Sequence, residues 1–452
     1  MTPTAEKTFF GHPRGLATLF LTEMWERFSY YGMRTLLVLY MVQYLFSDLK
    51  AGADIWGYQT ILKTLESIHG PMGAQALSSH IYGLYTGLVY FTPFFGGWLA
   101  DRYLGQRRAV YVGGVLMAIG HFLMAAENLF FPALLFLIVG NGFFKPNIST
   151  QVGGLYAQGD DRRDRAYMIF YMGINLGGFL SPLICGTLGQ KVGWHWGFGA
   201  AGVGMLLSLV LYYMGRKYLP EVERKSVEQI HKESSQKMTG TEWKAVGALV
   251  YLCILNIVFW GVYEQQGNTL QLWAEQNTDL VFFNWNVPST WYQSVNPFMI
   301  FTLTPLLGIL WAWQSKLKKE PGSIAKMGIG CLLAGLALVV MFWAYKTVGD
   351  GKGSIAWLLA TTLLLTVGEL YLSPIGLSLV TKVAPARMVS MMMGIWLMSS
   401  FFGNYLSGYL GSFYETMSKD SFFMMLAFLG FGSAILFFLS RKPLEHGLGK
   451  KI

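Results

Sequence analysis

Long apolar segments recur along the whole chain and constrain its fold more than any other feature of the sequence. Twelve of them fit windows of about 20 residues, the length of helix that crosses the hydrocarbon core of a bilayer. Only 13% of the 452 residues are charged, whereas soluble domains carry about 25%. Because such a chain lacks the polar surface that a globule in water needs, we predict an all-α integral membrane protein.

The predicted spans form two sets of six, separated by the most charged connection in the chain. Residues 215–242 carry charges of both signs and are too few and too polar to hold an additional pair of membrane helices. We therefore predict two six-helix bundles, 1–218 and 243–452, joined by a cytoplasmic linker at 219–242. The predicted spans are 17–46, 81–100, 109–126, 132–151, 166–190, 196–218, 243–266, 291–313, 324–345, 355–380, 388–414 and 422–439.

The basic residues predict the orientation of the chain. Lys and Arg are frequent in the connections on the side that holds both termini and scarce on the other side. Since loops rich in these residues stay in the cytoplasm, we predict a multi-pass protein of the cell (inner) membrane with both termini cytoplasmic. The net charge of +9 is spread over these loops, so we do not expect nucleic acid as a partner.

Seven charged side chains lie inside the predicted spans. A charge in mid-membrane costs several kcal/mol, so such residues usually face water or each other and mark a path for ions or substrate. On the first span, the charged residues and Tyr30 recur at offsets that put them on one helix face. This pattern predicts a transporter. The seven residues are Glu23, Glu26, Arg27, Arg34, Lys145, Glu264 and Glu369.

A purely structural role is the alternative interpretation of these charges. Glu23 and Arg27 are spaced to pair on one helix, which would only hold the bundle together, but such a lock needs two charges and the set has seven. Four carboxylates against three cations leave one acid without a fixed partner, a natural proton carrier because burial disfavours the charged form. The sequence offers no catalytic or metal-binding pattern, so we predict neither an enzyme nor a cofactor, with the proton as coupling ion.

Five segments carry a resemblance to a known family. EMWERFSYYG at 23–32 resembles the first-helix signature of the proton-coupled oligopeptide transporter family, within the major facilitator superfamily. GGWLADR at 96–102, KPN at 145–147, FYMGINLG at 170–177 and ELYLSP at 369–374 match the same family in order. The resemblance implies a twelve-helix major facilitator fold without an extra helix pair, and proton-coupled import of di- and tripeptides by alternating access.

The resemblance also implies roles for individual residues. Arg34 and Lys145 would attract the carboxylate of the peptide, and Glu369 would receive its amino terminus. Protonation of Glu264 would release Arg34 at the outer mouth, after which Glu23, Glu26, Arg27 and Lys145 would rearrange as the proton leaves inside. The other substrate contacts implied are Asn175, Asn296, Tyr30, Tyr31, Tyr85, Tyr171, Trp260, Ser373 and Trp396.

The resemblance leaves an alternative substrate class open. Some members of the family carry nitrate, other anions or metabolites such as amino acid derivatives, although a bare anion would have no use for Glu369. Vertebrate members use a histidine on helix two, and because the predicted span 81–100 has none, we exclude proton coupling through such a residue. The expected partners are a di- or tripeptide, protons and the lipid bilayer, and we expect a functional monomer.

Overall fold

The computed structural model describes residues 9, 11–47, 54–157, 160, 162–219, 239–384 and 388–447. Within these residues, twelve helices have 18 or more residues. We number them α1 to α12 in chain order. They are Arg14–Tyr40, Ala74–Leu99, Gln106–Leu123, Phe130–Gly154, Arg162–Ser181, Trp194–Gly215, Gly240–Tyr263, Val295–Lys316, Ser323–Val348, Ala356–Val383, Val389–Gly411 and Lys419–Gly447.

Each predicted span overlaps one of the twelve helices, so the prediction of a helical membrane protein is confirmed for the described residues. Eight of the helices are long and apolar enough to cross a bilayer by length and composition. α1 is outside this set because Glu23, Glu26, Arg27 and Arg34 interrupt its apolar residues. Between α6 and α7, residues 220–238 lie outside the described part, and this number of residues is too small for two further spans.

Shorter elements occupy the connections. The connection from α1 to α2 contains the helix Tyr58–His69, and the connection from α7 to α8 contains the helix Thr269–Gln276. A small antiparallel hairpin follows, in which Val281–Phe282 pairs with Trp285–Asn286. The helix Thr187–Lys191 continues α5 after a π-helical turn at Pro182–Gly186.

The helices group into two compact units. Unit 1 contains α1, α3, α4, α5, α6 and the end of α2 from Phe91 onward, and unit 2 contains residues 41–47, 62–90 and α7 to α12. The first part of α2 therefore groups with unit 2, whereas the sequence assigned it to the first bundle. The boundaries of the linker at 219–242 stay a prediction, since most of it lies outside the described residues.

In unit 1, α1 is buried along most of its length because small residues let its neighbours approach closely. Gly177 of α5 lies directly against the backbone of Met24, and a side chain there would collide with the Met24 carbonyl oxygen. Gly204 of α6 packs in the same way against the ring of Phe28. These close contacts fix the helix that carries the charged residues Glu23 to Arg34.

In unit 2, the first part of α2 packs against α11, backbone to backbone. A Cβ atom at Gly83 would lie 2.7 Å from the carbonyl oxygen of Asn404 and 2.7 Å from Cα of Gly408. Gln75 Nε2 donates a hydrogen bond of 2.9 Å to the carbonyl oxygen of Gly411. Glycines thus permit the contact, and a polar side chain at the helix ends stabilises it.

The start of α2 corrects one inference from the sequence. The helix begins at Ala74 and includes His80, which is buried and stacks on His69 with ring centroids 4.3 Å apart. The inference that helix two contains no histidine was therefore wrong, and the exclusion of proton coupling through such a residue loses its premise. The apolar window began at residue 81 because the first turns of α2 are polar, and α11 buries them despite that polarity.

Replacement of Gly83 by Ala tests the α2–α11 contact. We expect Gly83→Ala to lower the stability of the purified protein by about 1–3 kcal/mol, because the added methyl group meets backbone atoms that cannot move aside. Gly432→Ala on α12 is the matched control, since the space around that position is open. Thermal unfolding in detergent measures both, and equal melting temperatures for the two variants would contradict the packing described here.

Candidate functional site

A cluster of charged side chains lies in the interior of unit 1. Arg27 donates two parallel hydrogen bonds to Glu26, one from Nε to Oε2 and one from Nη2 to Oε1 at 2.8 Å. The same Nε lies 3.2 Å from Oε1 of Glu23, one turn earlier on α1. All three side chains are buried, so one guanidinium holds two carboxylates away from water.

Residues of α4 complete this cluster. Nη2 of Arg27 also donates a hydrogen bond of 3.4 Å to Oδ1 of Asn141. Lys145, one turn further along α4, is within electrostatic range of Glu23, Glu26 and Arg27, and of Arg34 as well. The structure therefore brings together the five charged residues that the sequence predicted on the first and fourth spans.

Glu23 and Glu26 differ in how their oxygens are paired. Both oxygens of Glu26 accept hydrogen bonds from Arg27. Oε2 of Glu23 is buried and has no hydrogen-bond partner among the described residues. A buried carboxylate oxygen without a donor is costly as an anion and is satisfied readily by a proton. Within the cluster, Glu23 is therefore the less well satisfied acid, a distinction that the sequence did not allow.

The aromatic and amide residues that were predicted as substrate contacts in unit 1 have different surroundings. The Arg27 guanidinium lies over the ring of Tyr30 at 5.2 Å, and Tyr31 packs edge-on against Tyr30. Asn175 is buried on α5, and its Nδ2 donates to the carbonyl oxygen of Tyr171 at 3.0 Å. The side chain of Tyr171 is 45% exposed. Tyr30 and Tyr31 thus adjoin the charged cluster.

In unit 2, Glu369 is the centre of a polar network that joins three helices. Oη of Tyr263, at the end of α7, donates to Oε2 of Glu369 at 2.5 Å. Nδ2 of Asn296, on α8, lies 3.3 Å from the same oxygen, 3.0 Å from Oη of Tyr263 and 2.9 Å from Oγ1 of Thr366. The donors that hold Oε2 are neutral, so they fix the carboxylate without cancelling its charge.

Glu264 follows Tyr263 directly, at the point where α7 ends. It is the first residue of the short turn Glu264–Gly267, and its side chain is only 2% exposed. Trp260, one turn earlier on α7, packs edge-on against Tyr263 with ring centroids 5.2 Å apart. The predicted gate residue and the predicted pocket tryptophan therefore flank the tyrosine that contacts Glu369.

The remaining predicted residues of unit 2 lie on α2, α10 and α11. Ser373 is half-buried on α10, one turn beyond Glu369. Trp396 of α11 is buried against Gly376, where a larger residue would collide with the indole ring. Tyr85 is buried in the part of α2 that belongs to unit 2. Trp396 thus packs between α10 and α11, and its role in substrate binding stays a prediction.

Three residues of the two clusters were missed by the sequence analysis. Asn141 lies one turn before Lys145 on α4, Thr366 lies one turn before Glu369 on α10, and Tyr263 directly precedes Glu264. Each is a polar residue within or at the end of an apolar span and next to a predicted charge. That neighbourhood is the signal that was available, since buried polar groups need partners.

No group of three or more His, Cys, Asp or Glu side chains suited to a metal ion occurs among the described residues. Cys185, Cys253 and Cys331 are buried free thiols. The polar chemistry of the two units therefore rests on carboxylates, Arg, Lys and their neutral hydrogen-bond partners.

Comparison with known protein sequences identifies a family and several relatives. The sequence matches the profile of the POT family over residues 107–226 and 220–425. It is 35% identical to the peptide transporter YePEPT of Yersinia enterocolitica subsp. palearctica, and the alignment covers 92% of this chain and 90% of that protein. It is 32% identical to the di-/tripeptide transporter of Lactococcus lactis subsp. cremoris, with 98% of each protein covered.

Comparison with solved structures agrees with the sequence match. The chain is similar to a POT family transporter crystallised in complex with 5-aminolevulinic acid, with a TM-score of 0.84 and 30% identity. The superposition covers 97% of this chain and 98% of that one. A likeness over nearly the whole length confirms the predicted helical membrane fold.

Removal of the Arg27 charge tests the cluster in unit 1. We expect Arg27→Met to destabilise the protein by about 3–5 kcal/mol, because two carboxylates would remain buried without their cation. The double variant Glu26→Gln/Arg27→Met should recover part of this loss. Lys352→Met, at an exposed position, is the control and should be neutral. Thermal unfolding in detergent measures all three, and a wild-type melting temperature for Arg27→Met would refute the pairing.

Proposed function

The chain belongs to the POT family and has the twelve-helix major facilitator fold, and from this premise we propose that it is a proton-coupled symporter of di- and tripeptides. Membership in this family supports a membrane transporter rather than an enzyme. The named relatives from Yersinia and Lactococcus are peptide transporters, which supports peptides as the substrate here. Transport proceeds by alternating access across the cell (inner) membrane, with both termini cytoplasmic and the protein acting as a monomer in the lipid bilayer.

The distribution of charge over the two units is the observation that carries this proposal. Unit 1 contains the cations Arg34 and Lys145, and unit 2 contains Glu369, held by neutral donors. All short peptides share a carboxylate and an ammonium group, whereas their side chains vary. A site of broad specificity therefore binds the ends by charge: Arg34 and Lys145 bind the carboxylate, and Glu369 binds the amino terminus.

The proton pathway follows from the buried acids. Glu264 takes up the proton from outside and thereby releases Arg34 for the substrate. Glu23, with its unpartnered buried oxygen, then carries the proton, while Glu26 stays paired with Arg27. Transfer of the proton loosens the attraction that Arg27 and Lys145 exert on Glu23, so the charged cluster rearranges as the proton leaves to the cytoplasm.

The polar packing of α2 on α11 is a contact that opens and closes during the proposed transport cycle. Gly83 and Gly408 allow the two helices to touch, and the bond from Gln75 to Gly411 is exchangeable for bonds to water. We assign this contact to the closed outer mouth.

Uptake of labelled dialanine into proteoliposomes tests the proposed function. We expect accumulation when the outside is acidic, little accumulation without a pH gradient, and an inward current, since a proton enters with a neutral zwitterion. Tripeptides should compete, and free alanine and nitrate should not. Competition by 5-aminolevulinic acid but not by peptides would instead favour an amino acid derivative as the substrate. Uptake that does not depend on the pH gradient would refute proton coupling.

Variants of the two proposed proton carriers separate binding from coupling. We expect Glu264→Gln and Glu23→Gln to lose at least 90% of gradient-driven accumulation, a roughly tenfold effect typical of a lost coupling group, while each retains exchange of labelled for unlabelled dialanine. Exchange needs no net proton movement, so it reports whether the substrate still binds and crosses. Asp350→Asn, in an exposed loop, is the control. Full driven accumulation in either variant would remove that residue from the proton pathway.

A further inference from the structure

We propose that Tyr263 is a positioning residue, which holds the carboxylate of Glu369 in the orientation that receives the amino group of the substrate. The inference rests on the proposed function, because it concerns the same binding site. None of the family motifs that the sequence matches contains Tyr263. It is the structure that brings its hydroxyl to Glu369, across 106 positions of sequence.

The first argument is the geometry of the hydroxyl group. Oη of Tyr263 donates to Oε2 of Glu369 at 2.5 Å and accepts from Nδ2 of Asn296 at 3.0 Å. Nδ2 of Asn296 in turn lies 2.9 Å from Oγ1 of Thr366. The phenol thus uses both its hydrogen-bonding functions in one network, and the network restricts rotation of the carboxylate.

The second argument is the packing of the ring. Tyr263 is stacked on Phe259 with an interplanar angle of 21° and centroids 5.6 Å apart, and Trp260 packs edge-on against it. Only 8% of Tyr263 and 1% of Phe259 are exposed. A ring held on two sides by aromatic neighbours keeps its hydroxyl at one position, which is what a positioning residue requires.

The third argument is the charge of the donors. Tyr263 and Asn296 are neutral, so their hydrogen bonds orient Glu369 without themselves neutralising its negative charge. A lysine or arginine at either position would neutralise the carboxylate and compete with the substrate. An oriented anion loses little freedom when the substrate binds, and affinity rises because this cost is avoided.

Replacement of Tyr263 by Phe removes the hydroxyl and retains the ring, so the aromatic packing is preserved. We expect the KM of dialanine exchange to rise about tenfold, as for loss of a hydrogen bond to a charged group, with a maximal rate within about twofold of wild type. The increase should be equal in exchange and in gradient-driven uptake, which distinguishes Tyr263 from the neighbouring Glu264. Tyr251→Phe, on the same helix, is the matched control.

A substrate analogue separates positioning of Glu369 from a general structural role. N-propionyl-alanine has the shape of dialanine but lacks the ammonium group. We expect Tyr263→Phe to leave its inhibition constant unchanged, because no group of this analogue contacts the carboxylate. Equal losses for dialanine and the analogue would mean that the hydroxyl merely supports the fold, which overturns the inference.

A double-mutant cycle with Glu369 completes the test. If Tyr263 acts through Glu369, the double variant Tyr263→Phe/Glu369→Gln binds dialanine no more weakly than Glu369→Gln alone. Additive losses would overturn the inference. Tyr263→His, which displaces the donor but keeps an aromatic ring, gives the same comparison of dialanine with the analogue if the Phe variant does not fold.

The outcomes also separate this inference from the proposed function. Wild-type protein that takes up no dialanine would refute peptide transport itself. Wild-type protein that transports dialanine, together with an unchanged KM in Tyr263→Phe, would refute only the role of Tyr263. A raised KM for dialanine with unchanged inhibition by N-propionyl-alanine supports both.

Discussion

The cost of a charge inside a membrane governs the arrangement of the polar residues in this protein. A charged group at that depth must be paired, hydrated or discharged. In unit 1 the solution is pairing, in which Arg27 holds Glu26 through two hydrogen bonds and Glu23 through one contact. In unit 2, the neutral groups of Tyr263 and Asn296 donate hydrogen bonds to Glu369. The acids of the two units thus have different hydrogen-bond partners.

An acid that shares a guanidinium with a second acid is poorly satisfied, and Glu23 retains a buried oxygen without a donor. The shared guanidinium therefore satisfies Glu23 less completely than Glu26, both of whose oxygens accept hydrogen bonds. Glu369 instead accepts hydrogen bonds from two neutral groups, which orient its carboxylate. The symport of a zwitterion that we propose would use both acids, one for the coupling ion and one for the substrate.

The helix α2 shows why the packing of small residues matters beyond stability. Its first part belongs to unit 2 and its end belongs to unit 1. The contact of its first part with α11 depends on Gly83 and Gly408 and on hydrogen bonds from polar side chains such as Gln75. Glycines at these positions therefore let the first part of α2 pack within unit 2, although its end groups with unit 1.

The sequence by itself determined the class of fold, the number of long helices in the described residues and the burial of Glu23, Glu26, Arg27 and Glu264. Those features follow from hydropathy and helical spacing, which are local properties of consecutive residues. Only the tertiary structure assigned the first turns of α2 and His80 to a helix, since distant residues of α11 bury them. Only the tertiary structure distinguished Glu23 from Glu26 and joined Tyr263 to Glu369. Hydrogen bonds between residues far apart in sequence depend on how the helices pack, and local spacing carries no information about that packing.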